Sequence, residues 1–117
     1  MNRFREGQSY EQAAAERLTA KGWQILERNW RRHHTELDII ALDGKWLVFV
    51  EVKYRSSGSL QSPLEAVDRR KRVNICRTAA AYMLEKGIPA DRPVRFDIVA
   101  CGPRSMQLYK NAFDFSM

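Results

Sequence analysis

Four charged residues flank two runs of strand-forming residues near the middle of the chain. Glu36 and Asp38 lie at the start of the first run, and Glu51 and Lys53 lie at the end of the second. Carboxylate oxygens from neighbouring strands are the ligands that Mg²⁺ requires, and substrate phosphate can fill the ion's remaining positions. These residues therefore predict a site for Mg²⁺ or Mn²⁺ among the three carboxylates, with an ammonium beside them.

The two runs are predicted to form a β-hairpin over residues 36–53. Asp43-Gly44 separates them, and this dipeptide tolerates the positive φ angles of a two-residue hairpin turn. With these two residues as the loop, the predicted pairs are Leu42 with Lys45, Asp38 with Phe49, and Glu36 with Glu51. Glu51 would then lie diagonal to Asp38. Alternation places Leu37 and Ile39 on one face, and both faces are apolar near the middle, which predicts a strand pair central in a sheet covered on both sides.

The same charges have a simpler interpretation as the solvated ends of two strands, with Lys53 paired to an acid. Against it, clustered carboxylates beside a buried strand pair are costly through like-charge repulsion and desolvation. Acidic residues are also seldom placed next to a core without a partner. We therefore expect a bound cation as their counter-charge.

The spacing of Asp38, Glu51, Val52 and Lys53 resembles the PD-(D/E)XK motif of the restriction-endonuclease-like superfamily. A longer pattern resembles the YraN-like family of uncharacterised bacterial proteins, which is placed in that superfamily. The pattern comprises Gly7, Glu11, Ala14, Gly22, Asn29, ELDIIA, FVEVKYR, Ser62-Pro63, RFDIVA and a terminal Asn-Ala-Phe. The chain departs from the family at Thr35, where Gly is usual.

This resemblance implies a nuclease that hydrolyses phosphodiester bonds. Asp38 and Glu51 would hold Mg²⁺, Lys53 would orient or activate the attacking water, and Glu36 would assist. The resemblance also implies auxiliary roles for Glu11, on the first helix, and for Gln61, which the residues alone describe as solvated positions. Holliday-junction resolvases are the most similar in size and strand pattern, which implies branched or structured DNA as substrate and a homodimer as the assembly.

Composition and charge describe a globular chain with a polyanionic partner. The 117 residues suffice for a single domain, and they carry 20 Lys and Arg against 14 acids, a net charge of +6. No apolar run is long enough to cross a membrane, and the first residues lack the core of a secretion signal, so we expect a cytoplasmic protein without membrane association. Two widely spaced cysteines, Cys76 and Cys101, are expected to be reduced and in or near the core.

Two basic stretches are candidates for contact with nucleic acid, for which we expect DNA. One stretch is Arg31 and Arg32, and the other is Arg69, Arg70, Lys71 and Arg72. Clustered cations suit phosphate contacts, whereas charge runs on a loop or helix are also common as plain solvated surfaces. Both interpretations apply to each stretch.

The elements are predicted in the order α-β-β-β-α-β-β, with helices over residues 7–21 and from Ser62 to about Lys86. An antiparallel meander followed by a helical crossover gives a mixed β-sheet flanked by helices, an α/β fold that matches the restriction-endonuclease-like core. Asp97 is predicted to be structural and paired with Arg95 or a neighbouring strand. Besides the nuclease hypothesis, two others remain: a non-catalytic nucleic-acid-binding or DNA-repair accessory protein, and a protein-interaction domain of a membrane or envelope assembly.

Overall fold

A computed structural model describes residues 3–115, with side chains from residue 9 onward. The helices are α1 (Arg3–Ala20) and α2 (Arg69–Glu85), and a short 3₁₀ helix (Pro63–Glu65) precedes α2. The strands are β1 (Gln24–Arg32), β2 (Thr35–Asp43), β3 (Trp46–Tyr54), β4 (Val94–Cys101) and β5 (Met106–Phe113). The predicted order of helices and strands is confirmed.

The five strands form one mixed sheet in the order β1-β2-β3-β4-β5. The first three strands are antiparallel, α2 crosses over so that β4 runs parallel to β3, and β5 returns antiparallel to β4. One face packs on α1, with Ile39, Val48 and Val50 in its core, and the other packs on α2, with Ile40 and Phe49. The predicted burial of the central hairpin on both faces is therefore confirmed. Within the described residues, no helix is long and apolar enough to span a membrane.

The hairpin register differs by two residues from the prediction. Asp43 pairs with Trp46, so the loop consists of Gly44 and Lys45. Gly44 has a φ of +58°, and glycine with positive φ at the first loop position is typical of a type II′ turn. Because the shift is even, the paired residues 39–43 and 46–50 keep their predicted faces, and Asp38 and Glu51 become the first residues beyond the last pair of the ladder.

The second helix begins six residues later than predicted, with its cap at Asp68 instead of Ser62. Ser62 does cap a helix, since its hydroxyl accepts the Leu64 N–H at 3.3 Å, but that helix is the single 3₁₀ turn. Asp68 starts α2 by accepting the Lys71 N–H at 2.9 Å. The first helix, in contrast, starts at Arg3, earlier than the predicted residue 7.

At the turn end of the hairpin, ion pairs of Arg95 link β2 to β4. Asp97 is fully buried, and the Arg95 Nη2 lies 2.8 Å from its Oδ2 and 2.9 Å from Asp43 Oδ2. Asp97 Oδ1 also accepts the Asn111 N–H at 2.9 Å. The structural role predicted for Asp97 is confirmed. Cys76 and Cys101 are both buried, as expected for cysteines in or near the core.

Candidate metal centre

The candidate site lies where β2 and β3 stop pairing with each other. Their ladder ends at Ile39 and Val50, although β2 continues beside β1 and β3 continues beside β4. Asp38 and Glu51 are the next residues of the two strands. Both acids therefore project at the point where the strands diverge, at the end of the hairpin opposite its turn.

The Asp38 side chain bridges the start of this gap. Its Oδ2 accepts the Val52 N–H at 2.8 Å and so joins the two strands where their backbones no longer pair. Burial and, after it, the neighbouring Glu51 carboxylate raise the pKa of Asp38 to about 8, while the hydrogen bond from Val52 acts in the opposite direction. A cation at this point would relieve both the desolvation and the repulsion.

Three carboxylates converge beside the gap. They belong to Glu11 of α1 and to Glu36 and Asp38 of β2, and their oxygens lie within 4.8 Å of one another. Oxygens that bind one Mg²⁺ lie about 2.1 Å from it, so opposite ligands are about 4.2 Å apart. Small side-chain adjustments would therefore let all three bind one ion. Burial and then the nearby Glu36 raise the pKa of Glu11.

A local reversal of strand faces brings these acids together. Leu37 and Ile39 are predicted to share a face, but Leu37 packs in the core on the α2 side and Ile39 in the core on the α1 side. The prediction for Leu37 is therefore wrong. The irregularity falls at Asp38, and past it Glu36 meets Glu11, which comes from α1.

Asn29 of β1 lies beside this irregularity and connects two of the acids. In the amide orientation that satisfies both, its Nδ2 lies 2.9 Å from Glu36 Oε1 and 2.6 Å from Glu11 Oε2. Its φ of 53° is left-handed, a conformation that Asn tolerates better than most residues. The β1–β2 ladder pairs Arg28 with Ile39 and Trp30 with Leu37, and it skips Asn29.

Glu51 is next to Asp38 but outside the group of three, and it pairs with Lys71. The Lys71 Nζ lies 2.7 Å from Glu51 Oε1, and the Glu51 side chain is only 10% exposed. Burial lowers the pKa of Lys71, but the attraction of Glu51 and Asp38 outweighs it, so the pKa is raised. The ammonium that contacts the acidic cluster therefore comes from α2.

Lys53 lies two residues beyond Glu51 on β3 and is partly buried. Within the described residues, its side chain makes no hydrogen bond or ion pair. The next residue, Tyr54, stacks on Tyr10 of α1 with ring centroids 4.8 Å apart. The end of β3 is thereby joined to the residue that precedes Glu11.

The other predicted site residues lie around this cluster or away from it. Arg31 contacts Glu36 at 3.2 Å, and Arg32 contacts Glu85 at 3.2 Å. Arg69 and Arg70, on the first turn of α2, are exposed and form no ion pair with described residues. Arg72 donates to the Val67 carbonyl at 3.2 Å. The Gln61 side chain is exposed and makes no hydrogen bond in the described part of the chain.

Thr35, the departure from the expected family pattern, has no backbone conformation that requires glycine. Thr35 does not adopt a positive φ. The Thr78 hydroxyl of α2 donates to the Thr35 hydroxyl at 2.7 Å, which in turn donates to the Arg32 carbonyl at 2.9 Å. Thr35 therefore ties the β1–β2 turn to α2 and leaves the acids in place.

Two side chains at the site are not assigned to it by the sequence. Asn29 belongs only to the family pattern, and Lys71 belongs to a basic stretch. With Asp68 as the helix cap, Lys71 is the third residue of α2, after Arg69 and Arg70. For the side-chain role of Asn29 we find no signal beyond an Asn in a strand, where this residue type is unfavoured.

Fold and site together define a small α/β protein with an acidic cluster at the diverging ends of two central strands. A model of the uncharacterised protein family UPF0102 matches residues 10–101. The chain is 43% identical over 114 residues to a UPF0102 protein of Lachnoclostridium phytofermentans, covering 97% of both chains. It is 48% identical over 100 residues to one of Moorella thermoacetica, covering 86% of this chain and 82% of the relative. The chain belongs to the family UPF0102, the YraN family.

Proposed function

We propose that the chain is a metal-dependent nuclease that hydrolyses phosphodiester bonds, with DNA as its substrate. The observation that carries the proposal is the convergence of Glu11, Glu36 and Asp38 beside a gap between two strands. The resemblance to the PD-(D/E)XK motif supports the same chemistry.

The donor set suits a hard divalent ion. All three groups are carboxylates, they come from two elements, and burial already destabilises the charged forms of Asp38 and Glu11. Oxygen donors of this kind favour Mg²⁺ or Mn²⁺ over softer metals. When bound, the ion would lower the pKa of a water ligand and neutralise phosphate charge.

The protein's own residues would hold and orient the reactants. Asp38, Glu36 and Glu11 supply carboxylates, and Glu51 adds a fourth beside Asp38. Lys53, whose ammonium has no partner among the described residues, is able to donate to a phosphate oxygen or to orient the water. In the reaction, the water oxygen bonds to phosphorus and the ester P–O bond breaks, leaving a phosphomonoester and a hydroxyl.

Arg69 and Arg70 favour a nucleic-acid substrate. They are exposed on the same helical turn as Lys71, which contacts the cluster, so phosphates bound there would lie close to the acids. From the similarity to Holliday-junction resolvases we extend the proposal to branched DNA and to a homodimer, since two symmetric cuts need two sites.

The test is cleavage of labelled four-way junctions, flaps, duplexes and single strands with Mg²⁺ or Mn²⁺. Asp38→Asn is the matched variant, because an amide oxygen can still accept the Val52 N–H and keep the strands joined. We expect wild-type cleavage that requires the metal and is lost in Asp38→Asn. Normal DNA binding without cleavage of any substrate would instead favour the accessory-protein hypothesis.

A further inference from the structure

Lys71 contacts the acidic cluster from α2, whereas the charge pattern predicts only a contact with nucleic-acid phosphate for this residue. We propose that Lys71 is the cluster's own counter-ion, and that binding of a divalent ion displaces its ammonium from Glu51. This inference rests on the proposed metal site. It concerns what happens to a side chain of the protein when that site is filled.

The two partners of this ion pair differ in their freedom to move. The Glu51 side chain is 10% exposed and comes from a central strand, whereas the Lys71 side chain is 44% exposed and comes from the first turn of a helix. An ammonium on a flexible stem can turn into solvent at little cost. Displacement would therefore move Lys71 and leave Glu51 in place.

Charge balance gives the reason for displacement. Four carboxylates lie together, from Glu11, Glu36, Asp38 and Glu51. The described structure shows two ion pairs to them, one from Lys71 and one from Arg31 to Glu36. A divalent ion held by Asp38 would repel the neighbouring ammonium and would take over its role as counter-charge. Glu51 would then be available as a fourth ligand next to Asp38.

After displacement, the Lys71 ammonium would be placed to bind a substrate phosphate. It lies on the same turn as Arg69 and Arg70, and all three would then face solvent as free cations at the edge of the site. Such a group suits a substrate phosphate. Lys71 would thus hold the cluster together before the metal binds and contact the substrate afterwards.

Calorimetric titration with Mn²⁺ alone tests the first step. Lys71→Met removes the competing charge, so we expect Mn²⁺ to bind about fivefold more tightly than to the wild type, the worth of one partly exposed ion pair. Lys45→Met is the control, because it makes the same change at the hairpin turn, far from the acids. We expect it to change Mn²⁺ affinity by less than about twofold.

The outcomes separate the two proposals. Unchanged or weaker Mn²⁺ binding in Lys71→Met, with a folded variant, overturns the displacement and leaves the metal site standing. A wild type that binds no Mn²⁺ overturns both. Should Lys71→Met fail to fold, amine acylation of the wild type read by mass spectrometry decides: labelling of Lys71 relative to Lys45 should rise several-fold with saturating Mn²⁺, and no rise overturns the displacement.

Discussion

At the scale of single residues, Asp38 makes the stability of the metal-free protein depend on pH. Its pKa is raised from 3.8 to about 8, so between these values the folded state holds a proton that the unfolded state has lost. Stability is then greatest at low pH and falls as pH rises towards 8. The raised pKa of Glu11 acts in the same direction.

We therefore expect urea unfolding without metal to show lower stability at pH 8 than at pH 5, by roughly a few kcal/mol. Asp38→Asn, which imitates the protonated acid, should remove most of this dependence, and saturating Mg²⁺ should stabilise the wild type most at high pH. Equal stability of the wild type at both values, without metal, would show that Asp38 titrates normally.

Lys53 should matter for chemistry and little for folding. Its side chain has no hydrogen bond or ion pair within the described residues, so Lys53→Ala should change the free energy of unfolding by at most about 0.5 kcal/mol. Mn²⁺ and DNA binding should persist, while single-turnover cleavage should fall on the order of a hundredfold. Unfolding of the variant would mean that the lysine is structural.

The sequence singles out Asp38, Glu51 and Glu36 by type and position, and the structure places these acids close together. Their arrangement is less predictable. That Glu36 turns towards Glu11 could not be predicted, because alternation along a regular strand does not include the reversal at Asp38. The contact of Lys71 with the cluster could not be predicted for a related reason. The direction of its side chain depends on where α2 begins, and Ser62-Pro63 is a competing signal for the start of a helix.

At the scale of elements, the register of the hairpin differs from the prediction because Asp43-Gly44 is a strong sequence signal for a two-residue turn. The observed turn needs positive φ only at Gly44, so Asp43 stays in the strand, where its carboxylate binds Arg95 at 2.9 Å. A distant partner thus competes with local turn preference. The element order was more secure, since it depends on hydrophobic periodicity and on glycine and proline breaks.

Asn29 tests whether the distorted strand positions the acids. Asn29→Gly keeps a residue that tolerates positive φ and removes the amide, whereas Asn29→Ala also strains the backbone. We expect Ala to be less stable than Gly by about 1 kcal/mol in chemical denaturation. Both should weaken Mn²⁺ binding to a similar degree, because both lose the donor shared by Glu11 and Glu36. If Asn29→Ala weakens Mn²⁺ binding and Asn29→Gly does not, the backbone conformation matters and the amide has no positioning role.

The first turn of α2 should supply the phosphate contacts. Since Arg69 and Arg70 have no ion-pair partners among described residues, changing either to Gln should lower the slope of log binding constant against log salt by about 0.9. Fluorescence anisotropy with duplex or junction DNA measures this slope. Lys45→Gln, at the far end of the hairpin, serves as control and should leave it unchanged. Slopes that do not differ would place the DNA elsewhere.

At the scale of the whole molecule, the chain combines a net charge of +6 with a compact group of four carboxylates. The acids repel phosphate next to the cations that attract it. A divalent ion at the cluster would cancel part of that repulsion, so metal and DNA should each increase the affinity of the other by the same factor. This reciprocity is a property of the molecule that neither site shows alone.

The coupling between metal and DNA binding is best measured in Lys53→Ala, because this variant is expected to bind Mg²⁺ and DNA without cleaving the DNA. Its DNA affinity at fixed ionic strength should be about tenfold higher with saturating Mg²⁺ than with a chelator, which corresponds to a typical coupling free energy. Adding Asp38→Asn should abolish the difference and leave the affinity in chelator nearly unchanged below pH 8, since metal-free Asp38 already holds a proton there. If the DNA affinity of Lys53→Ala is the same with and without Mg²⁺, the DNA binds too far from the acids to interact with them electrostatically. That result would contradict the nuclease proposal, which needs the phosphate next to the metal.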